Sequence, residues 1–166
     1  MNKRILLTSF DTWLPHQQSN SSDDLLSVVI DFLPHSHTLL RRMPVDISVA
    51  SIMVTEKIKS YQPDVIICCG MAESRTQLSI ESNATCDEIL QTAVDLEKLV
   101  SDTAIEISHD CGKFVCEGLY YAVLAYLRDR QLTTHCIFVH VPTLNSENLP
   151  KIKADFMLIV QRLALF

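Results

Sequence analysis

Five apolar residues in a row, Val65-Ile66-Ile67-Cys68-Cys69, run straight into Gly70. A run this short, without alternation and led by β-branched residues, is a strand with no face left for water. Such strands belong to sheets covered on both sides. Arg4-Ile5-Leu6-Leu7-Thr8 has the same character near the start of the chain. Between the two lie a helix from Leu25 to Leu33, a less buried strand over Thr38 to Val45, and a second helix over Asp46 to Tyr61. Ser22-Asp23-Asp24 caps the first helix, and its acidic start suits the helix dipole. Pro34 and Pro63 stop the two helices. Strand, helix, strand in this order gives a parallel pair joined by a right-handed crossover.

The pattern continues to the end. An edge strand is expected over Gln77 to Ala84, with Glu81 near its end, then a helix over Cys86 to Val100 and a strand over Ala104 to Ser108. A helix carrying Cys116 runs to about Arg130, a strand covers Thr134 to His140, and a helix covers Pro150 to Leu165. This alternation predicts an α/β fold, a three-layer α/β/α sandwich around a mostly parallel twisted sheet. A chain of 166 residues suits one domain, residues 1–166, with one full core.

Charge narrows the partners. The net charge is −6 and the lysines and arginines are scattered, which argues against nucleic acid and anionic membrane surfaces. No apolar run reaches spanning length, and Ile5-Leu6-Leu7 is too short for a signal peptide. Six cysteines, two of them inside the buried strand, read as reduced thiols and a cytoplasmic address.

The chemistry gathers around two stretches. Gly112 to Leu127 reads as a turn that sets Cys116 on the start of a long apolar helix. The unpaired N–H groups there favour an anion, so the thiol is expected to lose its proton more easily. Cys136-Ile137-Phe138-Val139-His140-Val141-Pro142 is an apolar strand ending on a histidine and stopped by proline. Cysteine and histidine are the minimum for thiol catalysis. A carboxylate usually fixes the imidazole. Glu81 is placed best, with Glu73 and Asp110 as competitors. Phe10 and Trp13, in the long loop after the first strand, either plug a core edge or wall a ligand. A metal held by His109, Cys111 and Cys116 fits no common zinc spacing, and no metal or cofactor is expected.

These motifs resemble the pyroglutamyl peptidase I family, the pyrrolidone-carboxylate cysteine peptidases. Ser108 to Cys116 is similar to the family's Ser-x-x-Ala-Gly-x-Tyr-Val-Cys nucleophile motif, and Phe138-Val139-His140-Val141-Pro142 to its Phe-Ile-His-Val-Pro. Arg4 to Asp11, Met43-Pro44-Val45, Pro63 to Ile66, Gly70 to Arg75 and Ile80-Glu81 with Ala84 follow in the family's order. The resemblance implies a phosphorylase/hydrolase-like fold and a triad of Cys116, His140 and Glu81. It implies that Phe10 and Trp13 hold a pyrrolidone ring. It also implies that backbone N–H groups near Gly70, Met71 and Cys116 face an oxyanion. The substrate would be a peptide or small acyl amide, with no cofactor, and a homo-oligomer is compatible with it.

Several family features are altered. Ser9 and Leu14-Pro15 replace glycines, Asp87 to Leu99 holds no arginine, and the stretch from Glu81 to Cys116 is short for the family. The missing part helps close the site and form subunit contacts. The expectation is therefore a cysteine hydrolase removing an N-terminal pyroglutamyl or related acyl group. The alternative is an inactive or re-purposed binding protein on the same fold.

Overall fold

The computed structural model describes residues 2–166. The strands of the main sheet are β1 (Ile5–Phe10), β2 (His37–Met43), β3 (Val65–Met71), β4 (Ser79–Glu81), β7 (Glu106–Ser108) and β8 (His135–Val141). A separate hairpin joins β5 (Asn83–Thr85) to β6 (Ile89–Gln91). The helices are α1 (Ser21–Val29), α2 (Ile47–Tyr61), α3 (Leu96–Val100), α4 (Val115–Asp129) and α5 (Leu149–Leu163). The sheet order is β2-β1-β3-β8-β4-β7. All neighbours are parallel except β4 against β8.

The uninterrupted apolar runs sit where full burial requires, with β3 between β1 and β8 and buried from Val65 to Gly70. Alternate residues of these strands feed two cores. Ile5, Leu7, Val65, Ile67, Ile137 and Val139 face α1, α3 and α5. Leu6, Ile66, Cys68, Cys136 and Phe138 face α2, α4 and the hairpin. Gly70 and His140 share the parity of the second set, so they sit on the α4 side of the sheet.

Local chemistry explains the helix ends. Asp46 accepts from the Val49 N–H at 2.8 Å to cap α2. Gln62 closes it with φ at 51°, its N–H returning to the Ile58 carbonyl. Asn20, two residues before the first of the expected capping residues, opens α1 by accepting from Ser22 N–H. A 3-10 turn over Ile30–Phe32 ends that segment.

Two expectations are corrected. The segment after Cys86 is not a helix to Val100. It makes β6 and only a five-residue α3, because Leu90 is drawn beside Ala84 into the core under α4, which an extended hairpin can satisfy and a helix there cannot. The segment Gln77 to Ala84 is not one edge strand. It breaks at Ser82 into β4 and β5, and β4 is interior, between β8 and β7. Among the described residues, no helix is long and apolar enough to cross a membrane.

The α5 face should bear much of the first core's stability, since Phe156 is completely buried there. Phe156→Ala should lower unfolding free energy by about 3–5 kcal/mol, measured by denaturant titration.

Candidate active site

Glu81 ends β4, the strand that runs against the direction of β8. Ser79 pairs with His140 in that register, and Glu81 with Phe138. The short reversed strand thereby brings a carboxylate beside the end of β8. His140 Nδ1 lies 2.7 Å from Glu81 Oε1. With a carboxylate as acceptor, Nδ1 carries the proton, and Nε2 is left free to accept one. Glu81 is 0% exposed.

A third group completes the arrangement. Arg75, in the loop between β3 and β4, donates from Nη1 to the same Glu81 Oε1 at 2.5 Å and also to the Ser79 hydroxyl. Its Nη2 reaches the Ser108 hydroxyl at 3.3 Å and the Asp110 carbonyl at 2.9 Å. One guanidinium thus ties the acid to the turn that enters α4. Tyr120 of α4 adds a hydrogen bond from its hydroxyl to the Glu81 carbonyl at 3.0 Å. Sequence reading assigned neither residue a role. The signal available for Arg75 was its place after Gly70 in a motif of the resembling family. Tyr120 carried no signal, because helical spacing reads it as core.

Cys116 is the second residue of α4. A methyl group at Gly70 would come within 2.6 Å of Cys116 Sγ and 3.0 Å of the Phe138 ring. The sulfur therefore occupies the space a side chain at residue 70 would need. Gly70 is paired with His140 across β3 and β8, strands about 4.8 Å apart. Thiol and imidazole consequently flank one point on the same side of the sheet. Phe114, at the helix start, offers no side-chain cap, so the first-turn N–H groups remain free to face an anion.

The expected low thiol pKa is not what the surroundings produce. Burial, reinforced by the negative charge of Glu81, pushes the Cys116 thiol up to about 12. The residue is half-buried and its sulfur sits among Gly70, Phe138 and Cys68. Desolvation here outweighs the helix start. The resting sulfur is a neutral thiol that needs a base.

The competing carboxylates lie elsewhere. Glu73 accepts from Gln17 Nε2 at 3.3 Å and pairs with His16 at 3.1 Å, tying two loops together. The Asp110 carboxylate accepts from the Gly112 N–H at 3.0 Å and shapes the turn, in which Gly112 has φ at 90°. His109 is engaged by Ser82 at 2.6 Å. Its grouping with Cys111 and Cys116 is not assembled. Instead Cys111 joins Glu81 and His140, with ligand atoms of all three within 4.8 Å. All six cysteines are free thiols.

The two aromatics separate. Phe10 is 2% exposed and fills the core below α4, as a plug. Trp13 is 52% exposed, so the plug expectation fails for it. Its ring stacks at 5.0 Å on Phe114, itself 50% exposed and two residues before Cys116. The Met71 side chain turns to the opposite face, its sulfur 3.4 Å from Ser21 N. Only the backbone of Met71 is left on the site side.

The chain and its fold have counterparts among known proteins. The chain is 24% identical over 182 aligned positions to pyrrolidone-carboxylate peptidase 1 of Caldanaerobacter subterraneus, covering 93% of this chain and 89% of that one. It is 26% identical to the pyrrolidone-carboxylate peptidase of Vibrio campbellii, covering 98% and 90%. Both of these similar proteins are named as pyrrolidone-carboxylate peptidases. Pyroglutamyl peptidase I of Bacillus amyloliquefaciens superimposes with a TM-score of 0.86 at 20% identity, over 100% of this chain and 97% of that one. The pyrrolidone carboxyl peptidase of Thermococcus litoralis gives 0.81 at 14% identity, over 98% and 93%. No family model matches. The resemblance seen in the motifs and the expected α/β/α architecture are both borne out. The alignment with the first of these relatives is longer than the 166 residues of this chain, so the chain lacks residues that the peptidase has.

Two outcomes follow. Burial raises the Glu81 pKa, but the hydrogen bonds from His140 and Arg75 and the charge of His140 outweigh it and hold the carboxyl below its ordinary value. A depressed folded-state pKa gives stability that is present above the unfolded value, about 4.3, and is lost as pH falls through the folded value. Acid melts should show a drop in Tm below that pH, with Glu81→Gln showing a shallower pH dependence than wild type. Gly70→Ala should force the Cys116 sulfur or Phe138 aside, lowering stability by about 1–3 kcal/mol in chemical denaturation.

Proposed function

We propose that this protein is a cysteine hydrolase that removes an N-terminal pyroglutamyl or related acyl group from a peptide or small amide, with Cys116, His140 and Glu81 as its working residues. The observation that carries this reading is the buried 2.7 Å contact between His140 and Glu81, beside a sulfur seated over Gly70. The names of the relatives, all pyrrolidone-carboxylate peptidases, supply the acyl group.

The steps follow from the placement. His140 Nε2 takes the proton from Cys116 Sγ as the sulfur attacks the scissile carbonyl carbon. The carbonyl electron pair moves to oxygen, which the α4 first-turn N–H groups face. Glu81 stabilises the imidazolium formed, through Nδ1–H. The tetrahedral species collapses, the C–N bond breaks, and the amine leaves with the proton from Nε2. Water then attacks the thioester, giving its proton to Nε2. The C–S bond breaks, the acid departs, and the sulfur is reprotonated.

Trp13, packed on Phe114 two residues before Cys116, is the exposed aromatic suited to cover an apolar ring. Phe10 backs the site from the core. Gly70 and Met71 contribute backbone. A thiol nucleophile suits a reducing, cytoplasmic setting.

Wild-type protein should release the chromophore from a pyroglutamyl amide, and Cys116→Ala should lower kcat/KM at least a thousandfold with the Tm retained. Undiminished turnover in Cys116→Ala would rule out the mechanism. Inertness of the wild type toward pyroglutamyl and other acyl amides would leave the re-purposed binding protein as the reading.

A further inference from the structure

We infer that Glu81, Cys111 and His140 form a binding site for a zinc-class divalent cation, and that the cation shuts off the hydrolase site it shares. The relevant atoms are drawn together by tertiary structure alone. Glu81 comes from β4, His140 from β8, and Cys111 from the turn before α4. One carboxylate oxygen, one sulfur and one ring nitrogen lie within 4.8 Å of each other, all from buried residues. No other such group of three is brought as close among the described residues.

A second observation points independently to a ligand. Glu81 Oε1 is shared by His140 and Arg75, while Oε2 is buried and has no hydrogen-bond partner. A bare carboxylate oxygen in a dry interior is costly. A cation coordinated there would satisfy it without displacing Arg75 from Oε1.

The donor chemistry selects the ion. A set of one sulfur, one imidazole nitrogen and one carboxylate oxygen suits Zn²⁺ and excludes the hard cations that want oxygen only. Zinc donors stand about 3.5 Å apart in a tetrahedral centre, given bond lengths of about 2.0–2.3 Å. Closing the 4.8 Å span is therefore a side-chain adjustment of about 1 Å. Binding displaces the Cys111 proton to solvent. The carboxylate and the new thiolate then balance the two positive charges of the ion, while Arg75 keeps its neutral partners, the Ser79 and Ser108 hydroxyls and the Asp110 carbonyl.

The inhibition rests on the proposed hydrolase reading, whereas the binding does not. An imidazole bound to a dication at either nitrogen is a poor proton acceptor. Zinc occupancy and proton transfer from Cys116 then exclude each other.

Reduced full-length protein, kept in a non-thiol reductant, is dialysed to equilibrium against Zn²⁺, with Co²⁺ used to read thiolate ligation by absorbance. One equivalent of zinc should bind, and Cys111→Ser should weaken it more than tenfold. Cys116→Ala should keep both the zinc and the cobalt–thiolate band. The inference is overturned if wild type binds no zinc, if Cys111→Ser binds as wild type does, or if binding disappears in Cys116→Ala, the mark of an ion merely captured by the nucleophile. Should Cys111→Ser not fold, the cobalt band in Cys116→Ala decides alone. Protein that binds zinc through Cys111 yet hydrolyses no acyl amide would keep this site and sink the hydrolase reading. An active enzyme that ignores zinc would do the reverse.

Discussion

The structure is organised by a carboxylate taken out of water. Glu81 is wholly buried and is tolerable there only because His140 and Arg75 both meet it. A buried charge without partners is not sustained. Each partner is in turn anchored elsewhere: His140 by its strand, and Arg75 by Ser108 and the Asp110 carbonyl. The need to satisfy one anion therefore fixes how the β3–β4 loop, the end of β8 and the entry to α4 sit together. The positions of the α4 start and of the imidazole are consequences of that same requirement.

The reversed strand is what makes this geometry available. A fully parallel sheet would deliver strand C-termini to one edge in a row. With β4 antiparallel to β8, its last residue lies alongside Phe138, part-way along the neighbouring strand. Glu81 can then reach sideways to His140 from within the sheet. The absence of a side chain at Gly70 leaves a notch on the same surface, and the Cys116 sulfur fills it. The site is thus built into the sheet with a helix start pressed on it, while the Trp13–Phe114 pair, its Phe114 two residues before Cys116, stays exposed.

The cysteine shows how a correct local argument can be outweighed. A helix start favours a thiolate, and Cys116 does sit at one. The sulfur is also packed against Phe138 and faces the charge of Glu81, and these effects raise its pKa instead. Exposure decides which influence dominates, and exposure is not a local property. The same holds for Trp13. Its type suggests burial, but its loop is tied by Gln17 and Glu73 so that the ring lies outside the core.

Taken alone, the sequence determined the layers. Short unbroken apolar runs such as Val65 to Cys69, led by β-branched residues, read as strands covered on both faces, and the capped amphipathic segments Ser21–Val29 and Ile47–Tyr61 between the first of them are their covers. It also determined which residue types were available for chemistry, because a cysteine after a glycine turn and a histidine before a proline are visible in order. Only the tertiary structure decided which groups meet. The hairpin after Ser82 replaced a helix because Leu90 had a core to enter, and β4 became interior because β7 found its far side. Glu81 was separated from Glu73 and Asp110 as the partner of His140, and Cys111 was brought beside both. These outcomes depend on pairing between segments dozens of residues apart, and no local spacing encodes the distance between them.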